Sequence, residues 1–212
     1  MTITKNQITA WLNSCAQEYA DNQDALTNLD KDIGDADHGL NMNRGFSKVA
    51  ETLPTIADQN IGAIFKSVGM TLLSSVGGAS GPLYGTLFIR AAGAAKGADE
   101  IELTGLIEAL KVGVDGVVSR GKAELGDKTM CDVWIPVISS AKEAIDSGKC
   151  DDEVLDLMVE TAEKSTLSTI EMQAKKGRAS YLGERSIGHQ DPGATSSLLM
   201  IKALVKVIKG NK

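Results

Sequence analysis

The sequence predicts an all-α protein, an antiparallel bundle or barrel of eight helices with its loops gathered at the ends. Apolar residues recur with the helical period of 3.6 residues along most of the chain. Aromatic residues make up only 4% of the sequence, and the abundance of Ala, Leu, Val and Ile favours helix packing over a β-sandwich. No stretch shows the sustained two-residue alternation typical of strands, so no strand is predicted.

Eight apolar stripes predict the helices in chain order. They cover residues 46–53 and seven longer stretches, 8–19, 61–76, 83–95, 107–118, 133–145, 155–170 and 194–208. Within each stripe the apolar side chains fall three or four residues apart and so share one helix face. Pro54 is predicted to end the helix at 46–53, and Pro136 to lie in the first turn of its helix, where a missing N–H is tolerated. Asp151 or Asp152 is the candidate N-cap for the helix at 155–170.

Size and charge restrict the class of protein further. With 212 residues, no repeat and no linker-like segment, residues 1–212 are predicted to form a single domain. The net charge of −6 argues against a nucleic-acid partner and against an anionic membrane surface. Three widely spaced cysteines without a CxxC motif indicate neither a disulfide framework nor a zinc site. With no apolar signal segment or membrane-length apolar run, the protein is predicted to be cytoplasmic.

Four segments interrupt the helical pattern, and the first is acidic. Residues 30–41 place four carboxylates within eight positions around Gly34. Carboxylates so close together repel one another unless a cation neutralises them, and oxygen donors without cysteine suit Mg²⁺ or Ca²⁺ better than zinc. Asp35 and Asp37 are two positions apart in a segment predicted to be an extended loop, so their side chains share one side of it. Asp32 is the carboxylate expected not to bind the cation. The alternative is an acidic, solvated turn.

The second segment, residues 75–85, is rich in glycine and contains Pro82. Glycine lets the backbone approach a ligand closely, and the helix that follows offers unpaired N–H groups to an anion. It is not a Walker A loop, because it lacks the Gly-Lys-Ser/Thr sequence. A tight helix–helix turn explains the same residues, and the segment alone does not decide between the two.

The third segment, residues 119–132, is a charged loop between two helices. Thr129 is a candidate cap for the helix that follows. Lys128 either reaches a phosphate or is an ordinary solvated loop lysine. Met130 either packs on a planar ring or fills the core.

The fourth segment, residues 175–194, is too long for a simple connector. Asp191 followed by Pro192 predicts an N-cap and the first residue of a helix. The local charge is positive, from Lys175, Lys176, Arg178 and Arg185. This composition favours a binding loop over a mobile linker.

Together the four segments supply complementary parts of one site for a magnesium nucleotide. A fully ionised triphosphate carries a charge of about −4 and three aspartates about −3, and two Mg²⁺ ions would offset about four of these charges. Arg178 and the positive ends of the helix dipoles are available to offset the remaining negative charge.

In chain order the segments contain the motifs GDADHGLNM (34–42), SSVGGASGP (74–82), GDKTM (126–130) and GRASYLG (177–183), the last followed by DPGA (191–194). In these residues the chain resembles the nucleotide-binding L subunits of dihydroxyacetone kinases. The resemblance extends over essentially the whole chain, at the length of a free-standing subunit. It implies an eight-helix antiparallel barrel with the nucleotide site in loops at one end.

The resemblance also implies the site residues. It implies two Mg²⁺ ions held by Asp30, Asp35 and Asp37, and for Asp30 nothing else in the sequence indicates this role. It implies contacts to ADP or ATP from a larger set: His38, Gly39, Leu40, Asn41, Ala79, Ser80, Gly121, Met130, Arg178, Asp191, Pro192 and Gly193. No residue is expected to act covalently, because metal ions and positioning carry phosphoryl transfer.

The activity implied by the resemblance is that of a phosphotransferase subunit. In bacterial systems of this family, ADP stays bound and is rephosphorylated in place by a phosphohistidine subunit, M. That subunit draws on phosphoenolpyruvate through the sugar phosphotransferase system. The ATP so formed phosphorylates dihydroxyacetone, which is held on a histidine of a separate K subunit. Both histidines of this chain lie inside nucleotide-loop motifs, so the triose site is expected on another chain.

Two other functions fit the same residues. One is an L-type subunit of an ATP-dependent kinase, which exchanges its ADP for free ATP. The other is a nucleotide-loaded module that acts on a transcriptional regulator, a role that L subunits of this family can combine with catalysis.

Overall fold

The computed structural model describes residues 1–210. Within them the α-helices are α1 Lys5–Asp21, α2 Gln23–Ile33, α3 His38–Ile56, α4 Ile61–Ser75, α5 Ser80–Ala94, α6 Leu103–Gly121, α7 Cys131–Asp146, α8 Asp151–Ser168 and α9 Pro192–Gly210. Two 3-10 helices, Thr169–Glu171 and Arg178–Ser186, lie between α8 and α9. The predicted all-α class is confirmed.

Eight of these helices form a closed ring. Its neighbouring pairs are α1·α3, α3·α4, α4·α5, α5·α6, α6·α7, α7·α8, α8·α9 and α9·α1. At one end the backbone N–H of Lys5 donates to Asp99 and that of Ile61 donates to Ala98, while the amino group of Met1 contacts Asp151. Helices α1, α4, α6 and α8 therefore begin at this end, and the alternate helices begin at the other. This ring is the predicted antiparallel eight-helix barrel.

Helix α2 lies outside the ring and was not predicted by the apolar pattern. Its buried residues are only Leu26, Asp30 and Ile33, too few to form a recognisable stripe. The extended loop predicted for the acidic segment is therefore wrong. Asp30 lies in the last turn of α2, Asp37 immediately precedes α3, and only residues 34–37 are non-helical.

Two short strands correct the prediction that the chain has none. β1 (Thr2–Thr4) pairs antiparallel with β2 (Glu100–Glu102), with Ile3 opposite Ile101. Three residues per strand are too few to show a two-residue period. The ribbon joins the start of α1 to the start of α6 and so closes the end of the ring opposite the long loops.

Three predicted helix boundaries are wrong. Pro54 lies inside α3, which ends two residues later, because a proline in the last turn removes a single ladder hydrogen bond. Pro136 is the sixth residue of α7 and lies beyond its first turn. The N-cap of α8 is Cys150, whose backbone N–H donates to Glu153 Oε2 at 2.9 Å, so neither Asp151 nor Asp152 caps that helix.

One apolar cluster fills the ring and draws on all nine α-helices of residues 1–210. At its centre the indole ring of Trp11 packs against Phe65 and Phe88, with ring centroids 6.2 and 5.8 Å apart. None of the described helices combines the length and apolar character that a membrane span needs. The single-domain boundary of 1–212 stays a prediction, and its last two residues lie outside the described part.

Candidate functional site

A cavity of about 500 Å³ opens at the ring end where α3, α5, α7 and α9 begin. Each helix start leaves backbone N–H groups without intrahelical partners and carries the positive end of the helix dipole. Four such starts around one cavity favour an anionic ligand. All four sequence segments line the cavity, and so do all the predicted site residues except Gly39 and Leu40.

The carboxylate cluster lies on one wall. Asp30, Asp35 and Asp37 each offer an oxygen, and these oxygens lie within 4.8 Å of one another. An oxygen-only donor set this compact fits a hard divalent cation such as Mg²⁺. Oδ2 of Asp30 also accepts hydrogen bonds from the backbone N–H groups of Asp37 and His38, at 2.9 and 3.1 Å. Asp30 therefore shapes the loop between α2 and α3 as well as facing the cavity.

The loop at residues 34–37 depends on a glycine. A Cβ atom at Gly34 would lie 2.0 Å from Asp30 Oδ1, so a larger residue there would displace the carboxylate. Asp32 is not part of the cluster; its carboxylate lies 3.5 Å from Nδ1 of His189. Its predicted role as spectator agrees with this placement.

His38 lies beneath the cavity in a network of buried hydroxyl groups. Its Nε2 lies 2.9 Å from Ser196 Oγ and its Nδ1 3.2 Å from Ser80 Oγ. Desolvation by burial lowers the pKa of His38 to about 4, so the imidazole is neutral at pH 7 and can donate one hydrogen bond and accept another. His38 orients hydroxyl groups here and does not supply positive charge.

Ser196 was missed at the sequence level. It is fully buried, and the Tyr84 hydroxyl lies 2.8 Å from its Oγ. A serine within an apolar stripe gives no signal of such a contact, because its partner His38 is 158 positions away in the chain.

The glycine-rich segment between α4 and α5 forms a tight helix–helix turn, and it also lines the cavity. A Cβ atom at Gly81 would lie 2.2 Å from the carbonyl oxygen of Val76, so the tight turn requires glycine there. Gly77, Gly78, Ala79 and Ser80 also line the cavity. The role in binding an anion stays a prediction.

Asn41 faces the same turn and is fixed by Arg44. The Arg44 guanidinium donates to Asn41 Oδ1 at 2.6 Å and to the Ser75 carbonyl at 2.9 Å. Because arginine can only donate, the amide oxygen must point toward Arg44. The amide nitrogen of Asn41 then remains available as a donor on its other side.

Gly39 and Leu40 are not brought into the cavity. A Cβ atom at Gly39 would lie 2.0 Å from the Gln23 carbonyl oxygen, so this glycine allows α3 to pack closely against α2. The Leu40 side chain is half exposed. Their contact with a nucleotide is not supported by the cavity and stays a prediction.

Lys128 is not the solvated loop lysine considered for it, and its contact with a phosphate stays a prediction. Its side chain is only 1% exposed, and its ammonium group donates to the carbonyl oxygens of Met172 and Ser186 at 3.1 and 2.6 Å. Desolvation lowers the pKa of this ammonium group, and the nearby Asp191 carboxylate opposes the shift. Lys128 is therefore a buried, hydrogen-bonded lysine at the cavity wall.

The predicted helix start at Asp191 is confirmed. Asp191 Oδ2 accepts from the backbone N–H of Ala194 at 2.7 Å, and α9 begins at Pro192. Burial raises the pKa of Asp191 to about 7, and the hydrogen bond from Ala194 opposes this shift. The predicted cap at Thr129 is one residue early: the N-cap of α7 is Met130, and the Thr129 hydroxyl accepts from the N–H of Cys131, the first residue of α7, at 3.1 Å.

The remaining wall is largely apolar. Leu83, Val117, Ala123 and Met130 line it, with Gly121 at the end of α6. At the cavity rim, Arg178 Nη2 lies 2.9 Å from Asp35 Oδ2. The site thus combines a clustered-carboxylate wall, several helix starts and an apolar wall, which suits a ligand with an anionic tail and an apolar head.

Comparisons with known proteins agree with this geometry. A family model described as the DAK2 domain matches residues 32–206. The chain is 56% identical over 209 residues to the Escherichia coli K12 protein named "PEP-dependent dihydroxyacetone kinase, ADP-binding subunit DhaL", covering 99% of this chain and all of that protein. A Listeria innocua protein named "PEP-dependent dihydroxyacetone kinase 1, ADP-binding subunit DhaL" is 41% identical over 206 residues, or 97% of this chain and 98% of its own.

A solved structure shares the fold. The dihydroxyacetone kinase from C. freundii, in complex with AMP-PNP and Mg²⁺, matches 97% of this chain with a TM-score of 0.75 at 23% identity. The chain spans 34% of that protein's length. At this level of identity the likeness shows the fold alone.

Proposed function

Because this chain belongs to the DAK2 domain family, we propose that it is the ADP-binding subunit of a dihydroxyacetone kinase that passes a phosphoryl group to dihydroxyacetone. One observation carries the proposal: three clustered carboxylates and the starts of four helices line the same cavity. The names of the E. coli and L. innocua relatives support the nucleotide and the substrate.

Asp30, Asp35 and Asp37 are the residues that would hold Mg²⁺, in two ions by analogy with the family. When bound, the metal neutralises phosphate charge and stabilises the charge that develops during phosphoryl transfer. The chain's contribution is to fix these carboxylates before metal arrives. The hydrogen bonds from Asp37 and His38 to Asp30 do this for one of them.

The first turns of α3 and α5 would hold the phosphates through backbone N–H groups. Near the start of α5, Nδ1 of His38 lies within hydrogen-bond distance of the Ser80 hydroxyl, at 3.2 Å, and would help to orient it. Asn41 would add an amide donor that Arg44 orients. The apolar wall would take the adenine ring, with Gly121 and Met130 beside it, and would exclude water from that part of the ligand.

The proposed phosphoryl donor and acceptor lie on other proteins. A phosphohistidine subunit charged from phosphoenolpyruvate would rephosphorylate ADP in place, and a K subunit would hold dihydroxyacetone on one of its histidines. The phrase "PEP-dependent" in the names of both relatives supports this donor. His38 is buried between Ser80 and Ser196, and His189 lies beside Asp32, so neither is proposed as a sugar anchor. The reaction is proposed for the cytoplasm.

Two measurements test the proposal. Mass and absorbance analysis of the purified protein should find ADP and magnesium bound together. Adding purified K and phosphohistidine subunits should then give dihydroxyacetone phosphate from phosphoenolpyruvate, with ADP retained through dialysis. Rapid exchange and turnover with free ATP would identify the ATP-dependent type of subunit. Bound nucleotide without any transfer would identify a regulatory module that acts on a transcriptional regulator.

A further inference from the structure

Lys128 is a buried cation that the proposed reaction does not use. Lysine is rarely buried, because its ammonium group loses hydration unless hydrogen bonds replace it. Here two carbonyl oxygens replace it, those of Met172 and Ser186. Both acceptors belong to the connection between α8 and α9, and none of the ammonium hydrogen bonds described joins it to a ring helix.

The two acceptors flank the part of the chain that carries Arg178. We call residues 173–185 the Arg178 segment. Lys128 contacts the residue just before this segment and the residue just after it, so a single ammonium group joins its two ends. The N–H of Lys175 donates to the Asp127 carbonyl at 3.1 Å, which adds a backbone bond between the same two regions.

Ser186 completes the closure of the segment. Its hydroxyl accepts from the Ala174 N–H at 2.8 Å and donates to the Gly183 carbonyl at 2.6 Å. Its own carbonyl is the closer of the two acceptors of Lys128. The segment is therefore closed at its base by Lys128 and Ser186, while Arg178 itself is mostly exposed.

The turn before α7 is built to aim Lys128 inward. Lys128 has a left-handed backbone with φ of +63°, a conformation that side-chain-bearing residues adopt at an energetic cost. The Asp132 carboxylate holds this turn by accepting from the N–H groups of Gly126 and Thr129, at 2.6 and 2.7 Å. A strained backbone and a buried charge at one residue indicate that the direction of this side chain matters.

We propose that Lys128 is a positioning residue that holds the base of the Arg178 segment closed, so that the Arg178 guanidinium stands beside Asp35 at the cavity. Lys128 acts through the carbonyl oxygens of Met172 and Ser186. The part of this inference that concerns nucleotide affinity rests on the function proposed above, whereas the part that concerns the closed segment does not.

The first experiment measures segment closure in nucleotide-free protein. Lys128→Met removes the charge and keeps an unbranched side chain. The matched control is Lys122→Met, because Lys122 is exposed and also has a positive φ, of +49°. Amide hydrogen exchange at Ala174 and Lys175 should become at least ~10-fold faster in Lys128→Met and stay unchanged in the control. Exchange at Phe65 in α4 should be the same in all three proteins.

Two results of that experiment would overturn the proposal. One is unchanged exchange at Ala174 and Lys175. The other is a uniform increase that includes Phe65, which would indicate a general loss of stability. If circular dichroism shows Lys128→Met to be unfolded, Lys128→Gln replaces it, because its amide keeps a donor. It should give faster exchange confined to the same two amides.

The second experiment is a double-mutant cycle on the affinity for Mg-ADP, with Lys128→Met, Arg178→Ala and the double variant. If Lys128 acts through Arg178, the double variant should bind no more weakly than Arg178→Ala alone. Independent, multiplying losses would contradict the proposal. A wild-type protein that does not bind Mg-ADP would instead refute the proposed function, and the exchange experiment would still decide the role of Lys128.

Discussion

The Arg178 guanidinium lies 2.9 Å from the Asp35 carboxylate, and this ion pair joins the connection before α9 to the loop before α3. The positive and the acidic segments of the sequence therefore meet at one cavity, although 143 positions separate these two residues in the numbering of the chain. A phosphate bound in this cavity would lie close to both the clustered carboxylates and the Arg178 guanidinium.

Asp35→Asn should abolish Mg²⁺-dependent retention of ADP and leave the helical fold intact. The substitution removes one of three clustered metal donors. Removing a residue that hydrogen-bonds to a metal ligand typically weakens metal binding by about 10–100-fold. Asp35→Asn removes a proposed ligand itself, so it should weaken Mg²⁺ binding by at least about 100-fold. Nucleotide content after purification and calorimetric titration with Mg-ADP measure the effect. Asp32→Asn is the control, because Asp32 lies outside the cluster, and unchanged ADP content in Asp35→Asn would contradict the prediction.

Arg178→Ala should weaken Mg-ADP binding less than Asp35→Asn does, by roughly 3–10-fold. The Arg178 side chain is 68% exposed, and solvent screens such a charge strongly. The matched control is Arg185→Ala, another exposed arginine of the connection between α8 and α9, which should bind like wild type. The comparison needs equilibrium dissociation constants at two salt concentrations, since the contribution of Arg178 should shrink as salt rises. A loss equal to that of Asp35→Asn would be inconsistent with this account.

Asp191→Asn should change how stability depends on pH in the nucleotide-free protein. Burial raises the pKa of Asp191 from 3.8 to about 7, so between these pH values the folded state holds a proton that the unfolded state has lost. The contribution of Asp191 to stability is thus fully present below pH 3.8 and is lost as pH rises to about 7.

The free energy of unfolding of wild type, relative to Asp191→Asn, should accordingly fall by up to ~1.4 kcal/mol per pH unit across this window and level off above it. Asparagine keeps an oxygen for the Ala194 N–H, so the cap itself is preserved. Urea unfolding at a series of pH values, without Mg²⁺, measures the difference. A difference that does not vary with pH would show that Asp191 ionises normally.

Gly39→Ala should destabilise the protein by about 1–3 kcal/mol through overpacking. The added methyl group would lie 2.0 Å from the Gln23 carbonyl oxygen. Because that atom belongs to the backbone, α2 and α3 would have to move apart to relieve the clash. Gly93→Ala in α5 is the control, because nothing lies within 4 Å of its added Cβ. That variant should be more stable by roughly 0.5–1 kcal/mol, since alanine favours helix. Chemical denaturation separates the two, and equal stability of both variants would argue against close packing of α2 on α3.

The metal-binding role implied for Asp30 shows where local sequence reasoning stops. Leu29 and Lys31 flank Asp30 with no local signal, and α2 carries too few apolar residues to reveal a helix. The fold places Asp30 in the last turn of α2, beside Asp35 and Asp37. Pro54 failed as a boundary signal for a different reason, because a proline in the last turn of a helix removes only a single ladder hydrogen bond.

The sequence by itself determined the eight ring helices, the order of the four segments and the residue types from which a magnesium-nucleotide site is predicted, because helical periodicity and motif composition are local properties of the chain. Only the tertiary structure decided that the starts of α3, α5, α7 and α9 converge on one cavity, that His38 meets Ser196, and that Lys128 is buried at the base of the Arg178 segment. These contacts join residues far apart in the chain, and they arise when the alternating helices close the ring and exclude water from its interior.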